Sequence, residues 1–467
     1  MFEESNHDEF SIDKVVRFER MIEKNAFSFL DVEDYETIVD YYLEIEFYKR
    51  ARKAIDIGLA QHPKNLALSM ISAEMLSQDQ RYNEALNVLN DVLPFNPNNV
   101  ELLLGIGRLY SIVNDFNSAD HFFNLALENS FEEREMVLND LAFEYQNMGN
   151  CEKAIDVMKE ILLLNSENET ALLEIGVAFN EVDRDEEAIR FFHQIIDSNP
   201  YSYLSWFNLG TIHSKLKNHE EALFAFEMCL IINEKFSAAY YGIANIYIIK
   251  KEYRKAIDYF NITFKIEQPH AYAYCSIGEC YEKIGDYNKA LTFYEKSLEL
   301  DVCQSNAWIG IGVVKDLKDQ PLEAKKYIEK ALLYDEFNPE FWYIYAELLQ
   351  KIGCTSEADD AFKKVVELDP NNIEAWIDYS NFLYENNALQ KAVKTIRTAI
   401  NNNSDENDDL HFRLIAMLIA DNKLTEAKNK LHLILQKDTK TASRLYEIYP
   451  QAKEIKEIVD IIALYKG

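Results

Sequence analysis

Nine histidines and six cysteines are the residues best suited to metal binding or nucleophilic chemistry, and their spacing indicates neither. The histidines are scattered and form no His-Glu-x-x-His motif, which would place two imidazoles on one helix face around zinc. No Cys-x-x-Cys pair occurs. The cysteines are Cys151, Cys229, Cys275, Cys280, Cys303 and Cys354. We therefore predict no metal site and no cofactor.

Two closely spaced motifs could suggest chemistry but fit helix packing better. Cys275 and Cys280 are five residues apart, so a helix would place them about 140° apart around its axis, too far for a local pair. Gly310-Ile311-Gly312 follows no strand and is not a dinucleotide-binding turn, and no Gly-x4-Gly-Lys-Ser/Thr phosphate loop occurs. Carboxylates are too numerous for an Asp/Glu pair to indicate catalysis. We predict a protein that is not an enzyme.

The acidic charge of the chain limits its partners. The 467 residues include 80 acidic and 48 basic ones, for a net charge of −32. Nucleic acid is bound by Lys and Arg that release its counterions, so we expect no nucleic-acid partner. An anionic membrane surface is disfavoured for the same reason. Residues 1–200 hold 40 acidic and 16 basic residues. This concentration favours either solubility or the steering of a basic partner.

The sequence predicts a cytoplasmic location. It begins MFEESNHDEF, without the basic and apolar regions of a secretory signal. No run of about 18 apolar residues could span a membrane, so we expect no direct membrane insertion. Cysteines without a pairing pattern fit a reducing compartment.

One segment of 34 residues repeats along almost the whole chain. Twelve alanines recur at intervals of 34 residues, with two intervals of 35. They are Ala51, Ala85, Ala119, Ala154, Ala188, Ala222, Ala256, Ala290, Ala324, Ala358, Ala392 and Ala427. We number each repeat from 1 to 34, with this alanine at position 20.

Other residues fall into columns that predict two packed helices per repeat. Positions 4, 7, 8 and 11 share one face of a first helix, and positions 20, 24 and 27 share one face of a second. Position 8 is often glycine, which lets the two backbones approach closely. Gly, Asp or Asn near position 15 breaks the chain between the helices. Proline at position 32 ends the second helix. Position 4 holds all four tryptophans, Trp206, Trp308, Trp342 and Trp376.

These columns resemble the tetratricopeptide repeat family, whose pattern is W, L-G, Y, A, F, A and P. The segment YLSWFNLGTIHSKLKNHEEALFAFEMCLIINEKF at 203–236 is among the closest matches. Ser69 at position 4 and Lys315 at position 11 depart from the pattern. The resemblance implies an all-α fold, a right-handed superhelical α-solenoid of antiparallel helix pairs. His213, at the usual tyrosine position, is then a packing residue.

The predicted organisation has three parts. Residues 32–439 form about twelve repeats, the last slightly out of register. Residues 1–31 contain a disordered start and a capping helix at Phe10–Asn25. Residues 440–467 form one or two C-terminal capping helices, which shield the stack from water. Asn401–Asp409 is polar and predicts a loop. No Gly- or Ser-rich linker divides the chain, so we expect one continuous solenoid.

In the resembling family, the first helix of each repeat lines a concave groove. Positions 2, 5, 9 and 12 would point into it, free of the packing demands of the fold. Apolar side chains interspersed with amides there would bury and orient an extended or helical peptide. Packing against the neighbouring repeat is the alternative for any single residue. The predicted peptide-binding residues are Asn139, Asn180, Phe207, Thr211, Tyr241, Asn245, Ile309 and Tyr343.

The first repeat carries an acidic entrance to this groove. Some family members grip a C-terminal carboxylate with Lys, Asn and Arg, and the N-terminal repeats lack that set. An acidic entrance is better suited to a basic segment of a partner. The predicted partner-steering residues are Glu33, Glu36, Asp40 and Glu44.

Two functions follow as hypotheses. The first is a non-enzymatic scaffold, an adaptor or assembly factor that holds a protein or peptide segment in the groove. The second is a structural subunit that self-assembles or docks on a membrane-associated complex through exposed terminal helices around Tyr446 and Ile458. The sequence leaves the partner and the oligomeric state open.

Overall fold

The computed structural model describes residues 9–25, 28–131, 134–403, 408–437, 441 and 443–466. These residues form 27 α-helices and no β-strand. The helices are α1 (Glu9–Glu23), α2 (Val32–Glu44), α3 (Tyr48–Gln61), α4 (Leu66–Gln78), α5 (Tyr82–Val92), α6 (Val100–Ile112), α7 (Phe116–Asn129), α8 (Arg134–Asn147), α9 (Cys151–Leu164), α10 (Glu169–Glu181), α11 (Asp185–Ser198), α12 (Tyr203–Lys215), α13 (His219–Ile232), α14 (Ser237–Ile249), α15 (Tyr253–Thr263), α16 (Ala271–Ile284), α17 (Tyr287–Leu300), α18 (Ser305–Leu317), α19 (Pro321–Tyr334), α20 (Pro339–Lys351), α21 (Thr355–Leu368), α22 (Ile373–Glu385), α23 (Leu389–Asn402), α24 (Asp408–Ala420), α25 (Leu424–Lys437), α26 (Arg444–Ile448) and α27 (Lys456–Lys466).

Consecutive helices form twelve pairs, from α2 with α3 to α24 with α25. Turns of two or three residues join the helices of a pair, which makes them antiparallel neighbours. The chain divides into two compact bodies, an N-terminal body (Met1–Glu234) and a C-terminal body (Lys235–Gly467), with six pairs in each. The predicted all-α solenoid of helix pairs is confirmed. The right-handed superhelix and the domain limits at 32 and 439 stay predictions.

The repeated alanine lies where the two helices of a pair come closest. All twelve alanines at position 20 have 0% of their surface exposed. In three repeats, glycine at position 8 faces the ring at position 24. A Cβ on Gly107 would lie 2.4 Å from the ring of Phe123. A Cβ on Gly210 would lie 2.7 Å from the ring of Phe226. The small residues at positions 8 and 20 therefore mark a close contact between two helices, and in these repeats an aromatic ring at position 24 fills the space beside it.

The four tryptophans join one repeat to the next. Each indole N–H donates to the carbonyl oxygen six residues earlier, at position 32 of the preceding repeat, at 2.8–3.0 Å. Such a hydrogen bond contributes about 1 kcal/mol. The acceptors are the carbonyls of Pro200, Val302, Glu336 and Pro370. The tryptophans thus serve the fold.

The turn inside a pair places position 15 in the left-handed region in eleven of the twelve repeats, with φ between 57° and 88°. Glycine occupies three of these positions, Gly149, Gly285 and Gly353. Elsewhere the residue carries a Cβ, as Lys217 and Lys251 do, although this conformation costs L-residues about 1 kcal/mol. The predicted preference for Gly, Asp or Asn is therefore only partly followed, because packing of the two helices fixes the turn.

Additional helices cover both ends of the repeats. In α1, the Phe18 ring lies 6.3 Å from the rings of both Tyr35 and Tyr42 of α2. At the other end, a 3-10 segment at Pro450–Glu454 separates α26 from α27. Ile458 of α27 is 0% exposed. The predicted exposed contact at Ile458 is wrong, because this side chain fills the core beneath the last pair. Tyr446 is half-buried.

The loop predicted at Asn401–Asp409 is shorter than expected. Helix α23 continues to Asn402 and α24 begins at Asp408. Polar residues with several asparagines and acids suit helix ends as well as loops, since acids favour the first turn of a helix. Residues 404–407 lie outside the described residues, as do residues 1–8 of the disordered start predicted at residues 1–9, whereas Glu9 begins α1.

Two glycines of α6 test the helix contact. Gly107→Ala places a methyl group against the buried Phe123 ring, and overpacking of this kind costs about 1–3 kcal/mol. Gly105→Ala meets only Met70 and Leu89 atoms at 3.5 and 3.6 Å, which is ordinary contact. It should gain about 0.5–1 kcal/mol from helix propensity. We expect the urea midpoint to fall for Gly107→Ala and to rise for Gly105→Ala. Shifts of equal sign would contradict the packing account.

Candidate functional site

The predicted binding residues lie on the first helices of their repeats. We call the side chains at positions 5 and 9 of these helices the first-helix face. In the N-terminal body, Phe207 is half-buried, with its ring 5.8 Å from that of Phe226. Thr211 lies one turn further along α12, and its Oγ1 donates to the Phe207 carbonyl at 3.0 Å. The Thr211 hydroxyl hydrogen is thus already used within the helix.

The predicted amides of the N-terminal body are exposed. Asn139 Nδ2 donates to the carbonyl of Glu135 in its own helix at 2.9 Å, so its carbonyl oxygen is the group left for a ligand. Asn180 at position 12 of α10 is exposed. Beside Asn139, Phe143 is 60% exposed and borders the same cavity of about 460 Å³. Sequence analysis did not select Phe143, although its place in the position-9 column was the available signal.

In the C-terminal body, three of the four predicted residues come together. Asn245 Oδ1 accepts from the hydroxyl of Tyr272 at 2.8 Å, and the Tyr272 ring lies 6.4 Å from that of Tyr241. Asn245 and Ile309 border one cavity of about 410 Å³. Ile309 is only 8% exposed, so it can form the floor of a site but not a protruding contact.

The tyrosines of this face act as fixed hydrogen-bond donors. Tyr241 donates to Glu267 at 2.9 Å, and burial, followed by its hydrogen bonds, raises its pKa to about 12. Tyr343 lies beside a second cavity and donates to Asp378 at 2.8 Å. Both hydroxyls therefore stay neutral at physiological pH, and both rings are half-buried.

The four predicted steering acids lie on or beside α2. Glu33, Asp40 and Glu44 are exposed and Glu36 is half-buried. Burial raises the pKa of Asp40, and the nearby charge of Glu44 raises it further. Asp40 and Glu44 thus place two negative charges close together on α2.

Acidic side chains with raised pKa values concentrate on the first helices. Asp40, Glu279 and Glu347 occupy position 9, and Glu144 occupies position 10. Burial is the largest cause in all four. Only Glu144 has an ion pair among the described residues, with Arg108 at 3.0 Å. The accessible surface shows Asp40, Glu279 and Glu347 to be exposed, so these three unpaired carboxylates are open to a cation supplied by a ligand.

Two acidic side chains of the second helices behave in the opposite way. The pKa of Glu187 is lowered to about 2 by hydrogen bonds from Arg184 and then Lys159. Burial raises the pKa of Asp359, but hydrogen bonds from Lys391 and Tyr379 outweigh it and lower the value overall. Bases thus neutralise these two carboxylates within the protein.

Three buried thiols and one histidine are poorly suited to nucleophilic or base chemistry. Burial raises the pKa values of Cys229, Cys275 and Cys280 to about 12, so these thiols stay protonated. Burial lowers the pKa of His213, which fits the predicted packing role. Within the described residues, no group of three or more His, Cys, Asp or Glu could hold a metal ion. None of the described helices has the length and apolarity needed to cross a membrane.

Three family models match parts of the chain. The model described as tetratricopeptide repeat matches residues 37–100. The model for ChAPs, the Chs5p-Arf1p-binding proteins, matches residues 127–247. The model for the C-terminal domain of cilia and flagella-associated protein 70 matches residues 199–415. No curated protein matches the chain.

Solved structures similar to the chain include the Cut9-Hcn1 hetero-tetramer of the APC/C, with 14% identity over 88% of this chain and 94% of that chain, at a TM-score of 0.46. YrrB, described as a TPR protein with an unusual peptide-binding site, has 20% identity over 39% of this chain and 95% of that chain, at 0.31. MamA has 24% identity over 35% of this chain and 95% of that chain, at 0.32. At this distance they carry no information about a partner.

The charge distribution predicts an unusual pH dependence of stability. First-helix carboxylates with raised pKa bind protons more tightly in the folded chain than in the unfolded chain. The free energy of unfolding should therefore rise as the pH falls from about 7 through those raised values. Further acidification, toward the pKa of about 2 of Glu187, protonates the paired acids and removes their contribution. Urea unfolding across this range should show maximal stability at mildly acidic pH.

Glutamine variants separate the two sets of acids. Glu279→Gln/Glu347→Gln should be more stable than the wild type at neutral pH and should gain less on acidification. Glu187→Gln, the matched control, should be less stable at neutral pH because it loses its ion pairs. A wild-type stability that only declines on acidification, and is unchanged in the double variant, would contradict this assignment.

Proposed function

The chain is a tetratricopeptide repeat protein, and we propose that it is a non-enzymatic adaptor that holds a basic, partly apolar segment of a partner protein on its first-helix face. Repeat proteins of this kind are protein–protein interaction scaffolds. The partner segment would lie on the helices that carry the eight predicted binding residues. The predicted steering acids of α2 would attract it before contact.

A contrast at particular positions carries this proposal. Glu187 and Asp359 of the second helices pair with bases, whereas the exposed carboxylates of Asp40, Glu279 and Glu347 at position 9 have no ion pair among the described residues. Lysine and arginine side chains of a partner supply the missing charge.

Apolar contacts would supply a second part of the affinity. Phe143, Leu173 and Val177 are 60%, 42% and 55% exposed on neighbouring first helices of the N-terminal body. Burying such surface contributes about 25 cal/mol per Å². Asn180 and the free carbonyl oxygen of Asn139 are positioned to bond the backbone of the segment. Burial against aromatic and aliphatic side chains thus gives strength, and the amides fix orientation.

The net charge and the cysteines of the chain bear on its location and on which other ligands it binds. The net charge of −32 argues against nucleic acid as a ligand of this face. All six cysteines are free thiols. We therefore place the function in a reducing compartment, the cytoplasm.

Affinity capture from the native cell tests the binding face. Phe207→Ala/Tyr241→Ala removes one half-buried ring from each body, and truncation of such an anchor commonly costs 2 kcal/mol or more, about thirtyfold in affinity. We expect quantitative mass spectrometry to show the loss of most proteins that the wild type retains. Circular dichroism and gel filtration would verify that the variant is folded.

The matched control is Tyr201→Ala/Phe337→Ala, which removes two exposed rings from turns between repeats. This variant should retain the wild-type set of proteins. Equal recovery by the two double variants would contradict the assignment of binding to the first-helix face.

A further inference from the structure

The cavity of about 410 Å³ in the C-terminal body has a construction that the repeat pattern does not require. Four consecutive first helices, α14, α16, α18 and α20, contribute to its walls. One wall is aliphatic. Its side chains are Ile248, Ile309, Val313 and Ile344. The lining also contains acids and a serine, so the cavity combines apolar surface with negative charge.

Tyr294 of α17 shapes this cavity by passing between two first helices. A Cβ on Gly278 would lie 2.7 Å from its ring, and a Cβ on Gly310 would lie 2.3 Å from its Cζ. Only glycine at both places leaves room for the ring to reach the cavity. The Tyr294 hydroxyl donates to Glu282 Oε2 at 2.8 Å. The phenylalanine found at position 24 of other repeats could not make this bond.

One acid of the cavity is satisfied and two are not. Glu282 accepts from Tyr294 and also pairs with Lys283 Nζ at 2.9 Å. Glu279 and Glu340 border the cavity, and among the described residues neither has an ion pair. Burial raises the pKa of Glu279, with Lys283 opposing the rise and Glu282 and Glu340 adding to it. With three acids against Lys283, the lining of the cavity carries an excess of negative charge.

Ser276 adds a polar group to the lining of the cavity. Its side chain borders the cavity, and the residue is only 6% exposed. Within the part of the chain that the structure describes, its hydroxyl makes no hydrogen bond, and it is not among the fully buried atoms without a partner, so it is open to the cavity. A hydroxyl open to an acidic cavity is ready to accept a hydrogen bond from a cationic N–H group.

We propose that this cavity receives the cationic side chain, lysine or arginine, of the bound partner segment, an assignment that rests on the proposed function. The aliphatic stem of the side chain lies along Ile309 and Val313. Its charged group meets Glu279 and Glu340, and the Ser276 oxygen accepts one N–H. Long cationic side chains combine an apolar stem with a polar head in this way. A metal ion fits less well, because no described cluster has the ligands for one.

Synthetic peptides test this assignment directly. The probes are fluorescein-labelled nonapeptides that differ only in a central residue flanked by leucines: lysine, arginine, Nε-acetyl-lysine or norleucine. In fluorescence polarisation with the full chain, the lysine or arginine peptide should bind at least about tenfold more tightly than the two uncharged peptides. Whichever of the two binds better identifies the preferred cation. Equal affinities for all four peptides, or no binding of the cationic ones, would overturn the proposal.

Variants connect the preference to the cavity. Glu279→Gln/Glu340→Gln should reduce the preference to less than about threefold. Glu295→Gln/Glu299→Gln removes the same charge from exposed positions of α17 and should leave the preference intact. Ser276→Ala should weaken binding of the cationic peptide without lowering the melting temperature, because the hydroxyl has no partner to lose. A preference unchanged in Glu279→Gln/Glu340→Gln would place the cation elsewhere and overturn the assignment.

Affinity capture separates this assignment from the proposed function. If Glu279→Gln/Glu340→Gln retains the wild-type set of proteins while Phe207→Ala/Tyr241→Ala loses it, the cavity assignment fails and the binding face stands. If both double variants retain the set, both proposals fail. Loss in both supports the two together.

Discussion

The close contact of two helices at a fully buried alanine is the constraint on which this structure depends. That contact recurs twelve times, and the same arrangement places small residues at position 8 against a large side chain at position 24. Tryptophan hydrogen bonds then fix one repeat to the next at four places. Because the residues in these columns are needed for packing, substitutions that preserve the fold are possible mainly at positions of the first-helix face.

Unpaired charge is concentrated at one position of the first helices. Glu187 and Asp359 of the second helices pair with bases, which lowers their pKa values. Position 9 of the first helices instead holds Asp40, Glu279 and Glu347, which are exposed and have no ion pair among the described residues. With 80 acidic residues against 48 basic ones, the chain cannot pair every acid internally. These exposed acids are available to a basic partner.

Sequence predicted the packing far better than the site. The 34-residue interval predicts helix pairs because each repeat packs its two helices together through residues at the same positions. The interval could not reveal that Lys217 adopts a left-handed backbone conformation, because helix packing overrides the local preference of lysine there. It also could not reveal that Ile458 is buried, because the sequence of an apolar helix face does not show which element covers it. The cavity also escaped prediction. Tyr294 and Gly310 are ordinary in sequence, and only the fold shows the glycine of one repeat making room for the tyrosine of another.

First-helix carboxylates are proposed to meet the cations of a partner. Zero-length carbodiimide crosslinking joins carboxylates to lysine amines in direct contact, so crosslinking the native complex and mapping the products by mass spectrometry tests this contact. We predict that partner lysines are joined to Asp40, Glu279, Glu340 or Glu347. Partner crosslinks confined to exposed second-helix acids, such as Glu186 and Glu299, would contradict it.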